Sequence, residues 1–182
     1  PINPYAASKA AQDMVSMVYS SSYNFPIIRT RAFNHEGPRR GILGANASFA
    51  YQIAKIERDM QEPIIRVGNL EATRNFTDVL DLVRAYYLAM EKGAPSELYL
   101  IGSQNIYTMK QCLEALISLS SKSSEITFEI DPKRVRPNEL KTFIGDFKKF
   151  NDLTGWKPKI SFEDTMASVL NYWREFLDKG YY

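Results

Sequence analysis

The 182-residue sequence predicts an α/β fold in which at least some of the strands pair in parallel. Segments with helical spacing of apolar residues alternate with short β-rich runs, and this order is typical of parallel strands joined by right-handed helical crossovers. A hydrophobic content of 45% and a charged content of 24% are those of a globular chain with enough material to bury a core.

The first two predicted helices lie on either side of the first β-rich run. Asn3 can cap the first helix, and Pro4 suits its first turn, where a backbone N–H is not needed. We expect that helix to run to about Tyr23. Apolar residues three and four apart from Phe49 to Met60 predict the second helix.

Three further helices have both a start signal and an apolar stripe. Asp78 caps the third, which stops at Gly93; Thr108 opens the fourth, with Gln111 in capping-box spacing; Ser161 opens the fifth. The stripes expected to face the core are Val79, Leu82, Val83, Tyr86 and Met90 in the third helix, Met109, Cys112, Leu113, Leu116 and Ile117 in the fourth, and Phe162, Met166, Val169, Trp173 and Leu177 in the fifth. A short extra helix is expected over 146–154, and strands over 26–33, 63–67, 97–101 and 126–130.

Charge and composition exclude several kinds of partner. The net charge is +2, from 23 basic and 21 acidic residues that are interspersed, so nucleic acid is not a predicted partner. No apolar run of about 18 residues and no signal-peptide pattern occurs, which predicts a cytoplasmic protein without a membrane partner. Cys112 is the single cysteine and His35 the single histidine, so no internal disulfide and no metal site is expected, and Cys112 is predicted to pack in the core.

Tyr5 and Lys9 are the first candidates for chemistry. They stand four residues apart, so both side chains emerge from one face of the first helix, one turn apart. An ammonium beside a phenol favours the phenolate and lowers the pKa of the tyrosine toward neutrality, where it can exchange a proton with a sugar oxygen. The same spacing occurs by chance on many helix surfaces; the cap, the proline and the following small residues favour the catalytic interpretation.

Five longer stretches carry a family resemblance. They are NPYAASKAAQDMV from Asn3, RTRAFNHEGPRRG from Arg29, VGNLEATRNFTDVLDLVRAY from Val67, DPKRVRPNEL from Asp131 and TGWKPKISFEDT from Thr154. Together they resemble the extended short-chain dehydrogenase/reductase family, in the branch that acts on GDP-mannose derivatives. The resemblance covers nearly the whole chain.

This resemblance implies a parent enzyme that uses NADP, with NAD as the alternative, and acts on a GDP-linked sugar. It most closely implies reduction of GDP-4-keto-6-deoxymannose, in which hydride enters at C4 and a tyrosine supplies the proton. The alternative is GDP-mannose 4,6-dehydration, a lyase reaction in which hydride leaves C4 and returns at C6 after water is lost. A homodimer or homotetramer is expected for the parent. An alternative of another class is a non-catalytic module that binds sugar nucleotides.

The resemblance also implies roles for residues that bind the cofactor. Tyr5 would be the catalytic acid and base, and Lys9 would hold the nicotinamide ribose and lower the pKa of the tyrosine. Arg39 and Arg40 are similar to an arginine loop that reaches a cofactor phosphate at a subunit contact, and a guanidinium suits a phosphate because it can donate two hydrogen bonds at once. His35, beside them in sequence, is interpreted as a structural hydrogen-bonding residue rather than a catalyst.

Four further residues are implied in substrate binding. Asn34 would touch the sugar nucleotide or the cofactor, Arg74 and Arg136 would hold the diphosphate, and Glu139 would face a ribose or guanine donor. From the residues alone, both arginines could instead serve the structure, one in an ion pair with a neighbouring acidic residue and the other on loop carbonyls. Asn75 replaces the aspartate usual after the arginine, so we expect Arg74 to be less firmly oriented.

The domain division follows from the same resemblance. Residues 1–33 are expected to end a Rossmann-type cofactor-binding domain. Residues 34–182 are expected to form mainly a smaller mixed α/β substrate-binding domain, with part of 75–105 packing back on the cofactor domain.

A glycine-rich turn for the cofactor pyrophosphate is expected before Pro1. Gly37, Gly41 and Gly44 follow a predicted strand, but their loop is too long for a tight turn, and Pro38 and two arginines block the close approach that glycine permits. The Ser or Thr that assists the tyrosine, and a dehydratase's acidic residue, are expected upstream as well. We therefore expect the chain alone to bind NADP(H) poorly and to be inactive.

Overall fold

The predicted α/β fold is confirmed by a computed structural model, which describes residues 1–135, 138 and 140–180. Its helices are α1 (Pro4–Tyr23), α2 (Ala45–Glu57), α3 (Val79–Lys92), α4 (Met109–Ser118), α5 (Lys148–Thr154) and α6 (Phe162–Asp178). Its strands are β1 (Arg29–Ala32), β2 (His35–Glu36), β3 (Ile64–Val67), β4 (Thr73–Asn75), β5 (Thr77–Asp78), β6 (Leu98–Ile101), β7 (Ile106–Thr108), β8 (Thr127–Ile130) and β9 (Thr142–Phe143).

Most strand pairs in the described residues are parallel. β1 pairs with β6, β2 with β5 and β3 with β8, each in parallel and each between segments far apart in sequence. A small mixed sheet completes the set, in which β4 runs antiparallel to β7 and parallel to β9. Helices supply the crossovers that parallel pairing needs.

The predicted helices and longer strands are all present, with bounds that differ by a few residues. The second helix ends at Glu57, so Met60 lies beyond it. The helix starts follow the predicted chemistry: the Asn3 side chain accepts from the Ala6 N–H at 2.8 Å, and Thr108 and Gln111 form a reciprocal capping box. The two- and three-residue strands are not predicted by the sequence, because they are too short to show an alternating pattern and exist only through their pairing.

The larger hydrophobic core lies between α2, α4, α6 and the β3–β8 pair. The predicted stripe of α6 is confirmed, since Phe162, Met166, Val169, Trp173 and Leu177 are all buried there. Four of the five stripe residues predicted for α4 are buried, and Ile117 packs partly buried against the same core.

A second core cluster lies where α3 and α5 pack near β1 and β6, and here the predicted helix face is wrong in part. Leu82 is buried as predicted, whereas Val83, Tyr86 and Met90 are exposed, Met90 at 79%. Beside Leu82, the buried face has Ala85 and Ala89, which were not in the predicted stripe. The alanines face inward because a small side chain lets a helix backbone approach its neighbours closely, and the bulkier apolar residues then point outward.

α1 is attached to this cluster mainly by polar contacts. The Asp13 carboxylate accepts from Arg31 at 2.5 Å and from Arg29 at 3.3 Å, and the Ser20 and Ser96 hydroxyls are 2.7 Å apart. Ser20 is the buried residue of the helix. Within the described residues, no helix is long and apolar enough to cross a membrane. The division into domains at 33 and 34 stays a prediction.

Asn75 joins three distant segments through one buried amide. Its Nδ2 donates to the carbonyl of Ser103 at 2.9 Å, and its Oδ1 accepts from the Gly145 N–H at 2.9 Å. Its amide is therefore engaged away from Arg74, whose guanidinium is held by backbone carbonyls instead. The expectation that Asn75 weakens the orientation of Arg74 is corrected, since this position uses both the donor and the acceptor of an amide and an ionised aspartate has no donor.

We expect Asn75→Asp to lower the free energy of unfolding by about 1 to 3 kcal/mol near neutral pH, because the Ser103 carbonyl loses its donor and a buried charge is introduced. The loss should shrink on acidification, as a protonated carboxyl can donate again. Urea unfolding at several pH values measures both effects. Asn105→Asp, at an exposed position, is the matched control; equal effects at the two positions would contradict the role of the buried amide.

Candidate functional site

Tyr5 and Lys9 lie on the first turns of α1, at the exposed surface of the described chain. Tyr5 is 71% exposed, and Lys9 Nζ donates to Gln12 Oε1 at 3.1 Å on the same helix. In the described residues, no hydrogen bond or ion pair joins either side chain to Asn34, Arg39 or Arg40. The helix places the pair on one face, as its spacing predicts, but no second group of the described chain closes over it.

Asn34 and His35 lie where β1 ends and β2 begins. The Asn34 carbonyl accepts from the Thr77 N–H at 3.0 Å, which ties this turn to β5. His35 Nδ1 donates to the Phe33 carbonyl at 3.0 Å, in agreement with a structural role for the imidazole. The half-buried Asn34 side chain therefore has a fixed backbone at the edge of the β2–β5 pair.

Arg39 and Arg40 lie in an exposed loop between β2 and α2. Arg39 has a φ of 69°, a left-handed conformation that is costly for a residue with a side chain. Arg40 lies across Gly44, the N-cap of α2, where a Cβ would come within 2.8 Å of Arg40 Nε. The Arg40 side chain thus lies near the start of α2, where backbone N–H groups and the helix dipole favour anions.

Glu36 is a buried carboxylate that the sequence analysis did not select. It pairs with Asp78 across β2 and β5 and is 5% exposed, and its Oε2 has no hydrogen-bond partner among the described residues. Arg40 Nε is 3.8 Å from Oε2. Burial raises the pKa of Glu36 to about 7, and the charge of Arg40 offsets only part of that rise. The sequence gives no signal of this burial, because a glutamate four residues before an arginine is an ordinary surface pattern.

Arg74 holds the segment that leads into β9. Its Nη1 donates to the carbonyls of Thr73 at 2.8 Å and Lys141 at 3.2 Å, and its Nη2 donates to the carbonyl of Leu140 at 2.7 Å. Arg136, predicted to hold the diphosphate, and Glu139, predicted to face a ribose or guanine donor, lie outside the described residues. Their predicted roles stay predictions, as does that of Arg74 toward a diphosphate.

An open pocket of about 400 Å³ lies beside Gly68, at the end of β3. Its lining residues are Gly68, Asn69, Leu70, Glu71, Lys110, Phe128, Ile130 and Val135. The walls are largely apolar, with one carboxylate and one ammonium at the rim. Gly68 allows this geometry, because a Cβ there would come within 2.6 Å of the Arg134 carbonyl oxygen. The sequence gives no signal of this pocket, because its residues come from separate segments.

Cys112 is unsuited to nucleophilic chemistry. It is fully buried in the larger core, and burial together with the nearby charge of Glu36 raises the pKa of its thiol to about 12. This confirms its predicted place in the core. Among the described residues, no group of three His, Cys, Asp or Glu side chains is arranged to hold a metal ion.

Comparison with known proteins agrees with this arrangement. The family model for GDP-mannose 4,6 dehydratase matches residues 1–169. The GDP-6-deoxy-D-mannose reductase of Pseudomonas aeruginosa is 30% identical over 173 residues, which are 95% of this chain and 56% of that protein. GDP-mannose 4,6 dehydratase 1 of Arabidopsis thaliana is 30% identical over 171 residues, 94% of this chain and 47% of that protein.

A solved structure of RMD from Pseudomonas aeruginosa, complexed with NADPH, has a TM-score of 0.86 and 28% identity over 96% of this chain and 57% of its own. The fold is thus of the Rossmann type found in short-chain dehydrogenases/reductases, which confirms the resemblance noted in the sequence. The chain belongs to the GDP-mannose 4,6-dehydratase family. It spans about half the length of the curated relatives that it matches.

Glu36 should make the stability of the chain depend on pH. Its pKa of about 7 in the folded chain lies above the ordinary 4.5, so the folded state binds the proton more tightly. The resulting stabilisation is complete below about pH 4.5 and is lost as the pH rises through about 7, a change on the order of 3 kcal/mol. We expect Glu36→Gln to remove this dependence.

Urea unfolding of both chains between about pH 5 and pH 8 tests the expectation, with the difference in unfolding free energy growing by about 2 to 3 kcal/mol in favour of the variant. Glu125→Gln, at an exposed position, is the control. Parallel pH profiles for Glu36→Gln and the unsubstituted chain would show that Glu36 titrates normally.

Proposed function

We propose that this chain comprises the end of the cofactor-binding domain and the substrate-binding domain of an NADP-dependent enzyme that acts on a GDP-linked sugar. The parent enzyme is proposed to be a GDP-4-keto-6-deoxymannose reductase. The observation that carries the proposal is a Tyr-x-x-x-Lys helix attached to a parallel strand, in a fold that matches a structure complexed with NADPH at a TM-score of 0.86. The identity of 30% to both a reductase and a dehydratase supports the substrate class, and the reaction is the finer part of the proposal.

Tyr5 is proposed to donate a proton to the C4 oxygen of the sugar. NADPH, when bound, supplies the hydride that reaches C4, so the carbonyl gains one hydride and one proton and becomes an alcohol. Lys9 stabilises the phenolate that Tyr5 becomes, because the two side chains share one face of α1. The exposure of Tyr5 leaves its hydroxyl accessible to a substrate, and closure of the site is assigned to the rest of the parent protein.

Arg39 and Arg40 are proposed to bind a cofactor phosphate. Both residues are exposed, and the Arg40 side chain lies next to the N-terminus of α2, whose N-cap Gly44 provides no side chain to accept the free backbone N–H groups. A phosphate placed there would accept from both the arginines and the helix. The same two arginines are the features that favour the dehydratase alternative, in which such a loop crosses a subunit contact.

The pocket beside Gly68 is proposed to take the guanine base. Phe128 and Ile130 offer an apolar surface for stacking. Glu71 can accept from the ring N–H and amino group of guanine, and Lys110 can donate to its carbonyl oxygen. Arg74, with Arg136 and Glu139, is proposed to bind the diphosphate and ribose that follow, and Asn34 to touch the sugar nucleotide or the cofactor.

A homodimer or homotetramer is proposed for the parent enzyme. The support lies in α1, whose exposed large apolar residues exceed what a solvated helix normally carries. Apart from Tyr5, they are Met14, Val15, Met17, Val18, Tyr19 and Tyr23. A non-catalytic sugar-nucleotide module is the alternative of another class, and its signature is binding of GDP-sugar without any turnover by the parent.

In the full-length parent, Tyr5→Phe should reduce kcat by about 10²- to 10⁴-fold with a small effect on KM, because proton transfer is lost while binding groups stay. The assay follows NADPH consumption with GDP-4-keto-6-deoxymannose. Tyr23→Phe, on the same helix, is the matched control. A parent that instead converts GDP-mannose without net change of NADP is a dehydratase, and one that does neither supports the binding module.

For the 182-residue chain, Glu71→Gln should weaken binding of GDP by about tenfold, because charge-assisted hydrogen bonds to the base are weakened. Isothermal titration with GDP and with UDP measures this, and the loss should be much smaller for UDP. Glu62→Gln, an exposed glutamate away from the pocket, is the control. Equal losses for both nucleotides would place the base elsewhere.

A further inference from the structure

Glu36 and Arg40 form an ion pair with very different access to solvent. Their Oε2 and Nε atoms are 3.8 Å apart, and the side chains are 6% and 44% exposed. Two glycines constrain the positions of the Glu36 and Arg40 side chains. A Cβ on Gly37 would lie 2.4 Å from a methyl carbon of Val79, so β2 is pressed against the start of α3, while Gly44 leaves room for the Arg40 side chain. Arg40 therefore has a buried carboxylate behind it and solvent in front of it.

The other groups near Glu36 do not neutralise it. Asp78, its partner across β2 and β5, has its carboxylate engaged by the Leu80 N–H and the Thr165 hydroxyl at 2.8 and 2.9 Å. The Cys112 thiol on α4 has a raised pKa and stays protonated. Arg40 is thus the cation that the described residues bring to Glu36.

We infer that Glu36 is a positioning residue for Arg40, the buried counter-charge with which an incoming phosphate must compete. The inference rests on the proposed function, in which Arg40 contacts a cofactor phosphate. With Glu36 ionised, Arg40 is partly neutralised and drawn inward, and the carboxylate repels a second anion. With Glu36 protonated, the guanidinium is available to the anion with its full charge.

The coupling between the two events is reciprocal. If protonation of Glu36 increases the affinity for an anion by some factor, a bound anion increases the affinity of Glu36 for its proton by the same factor. A doubly charged anion on the outer side of Arg40 would interact with Glu36 through a partly aqueous path, for which Coulomb's law gives about a tenfold coupling. Since Glu36 titrates at about pH 7, the effect falls in the physiological range.

The test uses sulfate and the 182-residue chain, because the charge of sulfate is constant across the neutral range. Carboxyl ¹³C NMR gives the pKa of Glu36, and ¹⁵N signals of Arg40 report sulfate binding, with chloride at equal ionic strength as the reference. We expect sulfate to raise the pKa of Glu36 by about one unit, and sulfate affinity to be about tenfold higher near pH 5.5 than near pH 8.5.

Two variants separate this coupling from a merely structural role. In Glu36→Gln, sulfate affinity should be independent of pH. In Arg40→Gln, the pKa of Glu36 should rise without sulfate and no longer respond to it, whereas Arg66→Gln, which removes an exposed guanidinium elsewhere, should change neither.

The inference is overturned if Arg40→Gln leaves the pKa of Glu36 unchanged, or if sulfate binds Arg40 with the same pH profile in Glu36→Gln as in the unsubstituted chain. In the second case the proposed phosphate contact of Arg40 survives. Sulfate that perturbs Arg40 at no pH overturns both the inference and that contact, while the proton-transfer role of Tyr5 is judged separately by the kinetics of the parent enzyme.

Discussion

The buried amide of Asn75 is the contact on which the arrangement of the candidate site depends. It fixes β4 to the loop after β6 and to Gly145 ahead of α5, so it connects the sheet that carries Arg74 with the smaller core cluster. Near that junction Phe33 stacks on Phe143, with ring centroids 4.7 Å apart, and β9 is held beside β4. Arg74 on β4 therefore has a fixed relation to the end of β1, although the two are far apart in sequence.

The parts of the fold that could be predicted are those whose signal is local. Helix caps such as Asn3 and the box formed by Thr108 and Gln111 are combinations within one turn, and the stripe of α6 repeats over its whole length. Short strands such as β2 and β5 have no such repeat, because each exists through a partner more than forty positions away. The face of α3 was predicted wrongly in part for a related reason. Apolar residues mark the positions that can be buried, but the packing distance between elements determines which of them are.

The residues of the candidate site also differ in whether a local sequence signal predicts them. Tyr5, Lys9 and the paired arginines are contiguous motifs and could be selected from the sequence, while their relation to one another depends on tertiary structure. Glu36 could not be selected, since a glutamate is ordinarily exposed and its burial follows from the pairing of β2 with β5. The effect of Asn75 on Arg74 was misjudged because adjacent residues on a strand point to opposite faces.

The close approach of Gly68 to the Arg134 carbonyl separates the shape of the pocket beside Gly68 from the chemistry of its walls. The backbone sets how near the two segments come, and most of the lining side chains are exposed or half-buried, while Leu70 belongs to the larger core. Substitutions at exposed rim positions can therefore change the chemistry of the opening without disturbing the framework, whereas any side chain at position 68 would force the two segments apart. A chain built in this way can vary the lining of this pocket while its architecture stays constant.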